Sequence, residues 1–204
     1  MPSNLSNLKR DSIITGATRL FLEQGFNNVS MEKVAQAAPV SKATLYNYFD
    51  SKHSLLVAVV DELCHAISQT FETLSTDINK VESNLKQIAL SFMDLIYSKE
   101  GIAIYGLIIA ECKTFPELGI LIYQVALKDS LLQLEQYLQA LNNTTTFNID
   151  DTAFAANAFF GVLKGEQHFQ CLLNIKALPT QLEKQTYINK IIPLYMQGFL
   201  HDTH

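Results

Sequence analysis

Apolar residues recur at spacings of three and four along most of this 204-residue chain, and no segment alternates apolar with polar as a half-buried strand does. The stripes are Ile13, Ala17, Leu20 and Phe21; Leu85, Ile88, Ala89, Phe92 and Ile96; Leu127, Leu131, Leu134, Leu138 and Leu141; and Ile188, Ile191, Ile192, Tyr195 and Phe199. That period collects apolar side chains on one face of a helix and scatters them over both faces of a strand. The fold class is therefore all-α, with roughly nine helices. Punctuation supports the division. Gly25 ends the first helix, Ser30 caps the second, Ser41 the third and Asp50 or Ser51 the fourth, while Thr180 and Glu183 have the spacing of a capping box.

With 48% hydrophobic and 17% charged residues, the chain has the composition of a globular protein. The start, MPSNLSNLKR, has no apolar run behind a basic end, and the most apolar stretch, Ile102–Ala110, is too short to cross a bilayer. A soluble, cytoplasmic protein without membrane contact is expected. Cys64, Cys112 and Cys171 are odd in number and form no C-x-x-C pair, which fits a reducing compartment and a role as small core residues. His65 beside Cys64 and His168 three before Cys171 supply at most two ligands each, so no metal and no cofactor are expected. Glycine-rich phosphate loops, G-x-S-x-G and H-E-x-x-H are absent from the sequence, and Asp61 with Glu62 or Asp150 with Asp151 read as solvated or capping carboxylates. An enzyme is not expected.

Net charge is −5, yet it is unevenly spread. Up to Leu55 there are six Lys/Arg against four Asp/Glu, and beyond it nine against sixteen. The mildly basic start has the signature of a nucleic-acid-facing piece on a larger body. Its layout agrees: a long helix, two very short ones joined by a tight turn, then a long helix from near Lys52, which is the arrangement of a helix-turn-helix unit. Residues 1–54 form this domain and residues 55–204 the body. The small core is Val34, Ala35, Ala38, Val40, Leu45 and Phe49.

At 100° per residue, the short helix from Lys42 puts Leu45 and Phe49 on one side. Opposite lie Ala43, Thr44 and Asn47, short enough for close approach to a major groove, with a hydroxyl and an amide to offer base edges. Tyr46 and Tyr48 fall on the flanks, placed for phosphate or a thymine methyl, and Lys42 and Lys52 reach phosphates. The alternative, a helical protein-interaction module without sequence-specific DNA binding, packs the tyrosines and leaves the lysine solvated. Salt-dependent binding to a palindromic duplex separates the two.

The run from Asn27 to Leu56, NNVSMEKVAQAAPVSKATLYNYFDSKHSLL, resembles the N-terminal domain of TetR-type transcriptional regulators: a Ser-x-x-x-Val-Ala start, then A-P-V-S, T-L-Y-N-Y-F and S-K-x-x-L-L. The resemblance implies phosphate contact by Ser30 and Lys52, groove contact by Lys42, Ala43 and Thr44, and base or backbone contact by Tyr46, Asn47 and Tyr48. Two positions depart from the pattern. Pro39 stands where glycine is usual, so the turn should close with φ near −65° there, and His53 replaces a common acidic residue and reads as exposed.

Beyond Leu56 the resemblance is architectural, with Tyr105–Leu118 similar to one C-terminal subgroup. There Glu111 and Phe115 would anchor a turn and Pro116 would open the next helix. A long helix from Lys52 to about Thr76 would link head and body. The resemblance implies a ligand-responsive repressor that binds a palindromic double-stranded DNA operator as a homodimer. Phe159, Gly161, Gly165, Ile192, Tyr195 and Phe199 would lie at the dimer interface, the two glycines admitting a partner helix and Pro193 kinking its own. Phe92, Ile96, Ile108, Cys112, Tyr123 and Phe160 would line an apolar pocket for a small hydrophobic effector.

Overall fold

A computed structural model describes residues 4–202; the first three residues of the polar start lie outside that range. The elements are α1 (Asn4–Gln24), α2 (Met31–Ala37), α3 (Lys42–Tyr48), α4 (Lys52–Glu72), α5 (Val81–Ile96), α6 (Lys99–Glu111), α7 (Pro116–Tyr123), α8 (Asp129–Thr144), α9 (Thr152–Leu172) and α10 (Gln181–Phe199). The all-α class is what is observed. A two-residue strand pair departs from it: β1 (Phe147–Asn148) runs antiparallel to β2 (His201–Asp202), with Phe147 opposite Asp202. The chain divides into two compact units, residues 1–63 with 103–126 and residues 64–102 with 127–204.

In the first unit, Ile13, Ala17 and Phe21 of α1, Val34 of α2, Leu45 of α3 and Leu55, Leu56 and Val59 of α4 are all buried. The caps are those the sequence signals. Ser30 Oγ accepts from Lys33 N, Ser41 Oγ from Thr44 N, and Ser51 Oγ from Ser54 N. Gly25, at φ 78°, closes α1 with its N–H on the Phe21 carbonyl.

The turn between α2 and α3 differs from expectation. Pro39 has φ 25°, not a value near −65°. The surrounding bonds give the reason: Ala38 N–H reaches Val34 O, and Val40 N–H reaches Ala35 O at 3.0 Å. This is the outer bond of a Schellman closure, which needs a left-handed residue just past the helix cap. Proline has no N–H for the inner bond and resists that φ, so the turn carries strain that glycine would not. Pro39→Gly is expected to raise stability by about 1 kcal/mol, the strain relief exceeding glycine's greater unfolded-state entropy. Thermal unfolding checks this, and a lowered midpoint would refute it.

The second unit is built on α5, α8, α9 and α10, with Leu85, Ile88, Phe92, Leu134, Leu138, Phe159, Ile188 and Ile192 in its core. The capping box at Thr180 and Glu183 is formed. Buried polar ties add direction to the packing. Lys184 Nζ pairs with Asp94 at 2.8 Å, and Asn84 Nδ2 donates to Tyr137 Oη at 2.9 Å.

The two candidate close-approach glycines prove unlike one another. Gly161 is exposed with open space around it, whereas Gly165 has φ 51° and ψ −168° and breaks α9. A break leaves upstream carbonyls without helical donors. Two tyrosines replace them. Tyr97 Oη donates to Lys164 O at 2.6 Å and Tyr187 Oη to Val162 O at 2.6 Å, and burial pushes the Tyr97 phenol up to about 12. Pro193 lies inside α10, where no non-helical residue accompanies it.

Candidate nucleic-acid interface

α3 is short and owes its position to two anchors. Leu45 is fully buried and Phe49 is 6% exposed, and the Arg10 guanidinium lies 5.9 Å from the Phe49 ring centre. Burying a leucine of this kind contributes about 2 kcal/mol, enough to seat seven residues that would not hold a helix alone. The opposite side is open: Lys42, Ala43, Tyr46 and Asn47 are exposed, and Thr44 and Tyr48 are half-buried. Thr44 Oγ1 shares a hydrogen bond with Ser41 Oγ at 2.8 Å, which holds the hydroxyl at the helix start.

The flanking side chains are less free than helix geometry alone implies. Tyr48 Oη hydrogen-bonds Ser6 Oγ at 2.9 Å and donates to Ser6 O at 3.1 Å, which ties α3 to the start of α1. Lys42 forms an ion pair with Glu32 and its ammonium lies 5.8 Å from the Tyr46 ring centre. That partner draws the Glu32 carboxyl down to about 2 and the Lys42 ammonium upward. Lys42 therefore spends its charge on Glu32 until a phosphate competes for it. Glu32→Gln is expected to raise duplex affinity several-fold at low salt and to steepen the slope of log K against log salt by about one. Fluorescence anisotropy across a salt series reads both, and an unchanged slope contradicts it.

Two sequence expectations are corrected here. Lys52 does not reach outward for phosphate: its Nζ donates to Phe26 O at 2.7 Å and Val29 O at 2.9 Å and sits 4.3 Å from the Phe26 ring centre. It clamps the loop between α1 and α2, and burial lowers its pKa. His53 is not an exposed side chain. Its ring lies between Phe26 at 5.2 Å and Phe115 at 4.6 Å, with a buried Nε2. Ser30 is occupied as the α2 cap.

The residues proposed for pocket and dimer contacts separate by unit. Phe92, Ile96 and Phe160 are core residues of the second unit, with the Phe92 and Phe160 rings 4.7 Å apart. Ile108, Cys112 and Tyr123 belong to the first, and Tyr123 is 52% exposed. Phe159, Ile192 and Tyr195 are buried within one protomer, Tyr195 donating to Ala155 O at 2.9 Å. Phe159 packs on Tyr195, so these three side chains already spend nearly all their surface inside the single chain. Among the described residues no group of three or more His, Cys, Asp or Glu is placed to hold a metal ion, and no helix is long and apolar enough to cross a membrane.

The short buried-anchor helix with an open polar face, set among three supporting helices, defines a helix-turn-helix DNA-binding regulator. The chain belongs to the tetR family of bacterial regulatory proteins. The profile of that family matches residues 13–59, and that of the AefR-like transcriptional repressor C-terminal domain matches residues 83–199. Both describe regulators of transcription, not enzymes.

The chain is 32% identical over 88 residues to the probable HTH-type transcriptional regulator YttP of Bacillus subtilis, covering 43% of this chain and 42% of that one. It is 26% identical over 85 residues to the HTH-type transcriptional repressor NicS of Pseudomonas putida, covering 42% and 40%. The match thus spans about two fifths of these curated relatives. A tetR-family regulator from Mesorhizobium loti shares the fold over 98% of this chain and 100% of its own, with a TM-score of 0.84 at 24% identity. The flavonoid-responsive regulator FrrA is 28% identical, with a TM-score of 0.74 over 94% and 97% of the two chains.

Proposed function

We propose that the protein is a ligand-responsive repressor that binds a palindromic operator as a homodimer, with the DNA-reading residues inside 1–54. The open face of α3 carries this reading: Lys42, Ala43, Thr44 and Asn47 present short or polar groups, flanked by Tyr46, on a helix seated by Leu45 and Phe49. One such helix reads only a few base pairs, so affinity needs a second copy over a second half-site. Selection of bound duplexes from a random pool tests it. A recovered inverted repeat with half-sites about one helical turn apart is expected, and enrichment of no sequence would end the proposal.

The dimer surface is reassigned to side chains that α9 and α10 leave exposed. Phe154 and Phe169 are each 62% exposed, as is Leu194, and Gly161, Val162 and Tyr187 accompany them. Phe154, Gly161 and Val162 share a stripe of α9 before the break at Gly165, Phe169 is exposed beyond that break, and Tyr187 and Leu194 are seven apart on α10. The effector is read as hydrophobic because the central helices of the second unit, α5 and α9, are apolar where they pack, with the Phe92 and Phe160 rings in contact, so a ligand entering there would have to part them. FrrA, the flavonoid-responsive relative, is consistent with an aromatic effector class. Release would follow from a ligand binding one of two head arrangements better than the other.

A further inference from the structure

Within the first unit, the end of α1 and the loop after it border a cleft of about 340 Å³ whose other wall is α6. Phe21, Phe26 and Leu107 supply apolar surface, and Ala103 and Ala110 leave room because their side chains end at Cβ. Glu111 also lines the cleft and is only 7% exposed. Its Oε1 accepts from Asn27 Nδ2 at 2.8 Å. Oε2 has no hydrogen-bond partner among the described residues. Lys52 attracts this carboxylate from a distance, but its ammonium is held by the Phe26 and Val29 carbonyls and makes no ion pair with it. Oε2 is not sealed from solvent and so opens onto the cleft, where a donor or cation can reach it.

We propose that the cleft is a binding site for a small organic cation: a protonated amine or amidine on a compact apolar body. The cationic N–H groups donate to Glu111 Oε2, and the body rests against Phe21 and Leu107. The volume is at the small end of ligand sites, which suits a compact body. A neutral analogue forgoes the charge-assisted hydrogen bond and an anion meets like charge, so both bind more weakly. Every residue lining the cleft belongs to the first unit, and its occupancy does not depend on the chain being a regulator.

Calorimetric titration of the intact protein with benzamidine and phenethylamine, alongside neutral benzamide, tests the site. At least one cation should bind saturably in roughly the millimolar range or tighter, and benzamide about tenfold more weakly or worse. Glu111→Gln keeps an acceptor for Asn27 while removing the charge, and should bring the cation down to the level of benzamide. Leu107→Trp should block the cleft with Glu111 still in place, and carries the test if Glu111→Gln unfolds. Saturable binding of neither cation, equal binding of benzamidine and benzamide, or unchanged affinity in a folded Glu111→Gln protein would overturn the proposal.

Discussion

Leu45→Ala is expected to destabilise the first unit by about 3 kcal/mol and to abolish duplex binding. The side chain is fully buried, so truncation loses its transfer free energy and leaves a cavity that a seven-residue helix cannot collapse around. That loss is a large part of the stability of a small unit. α3 would leave its seat even where the rest stays folded. Leu45→Met keeps the volume and should cost under about 1.5 kcal/mol with binding retained. Thr44→Ala or Asn47→Ala should do the reverse, leaving the unfolding midpoint nearly unchanged while relaxing base preference by about 1–3 kcal/mol. Paired measurement of thermal midpoint and duplex affinity separates the cases. Normal binding by a folded Leu45→Ala protein would show that α3 is not seated as described.

Phe169→Glu combined with Leu194→Glu is expected to give a folded monomer whose operator affinity is lower by about three orders of magnitude. Both side chains are 62% exposed in the protomer, so charge there costs the single chain little. In a twofold dimer each substitution appears twice, and four carboxylates would have to be desolvated in an apolar interface. Sedimentation should show a monomer mass with an unchanged near-ultraviolet spectrum. Phe159→Ala should behave differently, because that ring packs on Tyr195 at 5.1 Å inside the protomer. It should cost about 3–5 kcal/mol of stability before any change in mass. A double variant that remains dimeric would return the interface to another face.

Part of the corrected site carried a partial signal. Phe159, Ile192 and Tyr195 are apolar at helical spacing, which an interface and a core satisfy equally, so the period could not choose between them. Gly165 was legible as a special residue, but its positive φ and the tyrosines that cover the break were not. Tyr97 lies 67 residues from the carbonyl it meets. The same holds for Pro39. Its own chemistry favours φ near −65°, and the packing of α2 against α3 imposes 25° instead.

The sequence by itself determined the helical class, the helix-turn-helix arrangement, the caps at Ser30, Ser41, Ser51 and Thr180, and the burial of Leu45 and Phe49. All of these rest on pairs within about four residues, which a linear pattern records. Only the tertiary structure decided that Lys52 clamps carbonyls 23 and 26 residues away, that His53 lies between two phenyl rings, and that Glu111 meets Asn27 across 84 residues. The use of a buried lysine or carboxylate depends on which donors and acceptors the fold brings beside it, and local spacing does not specify those partners.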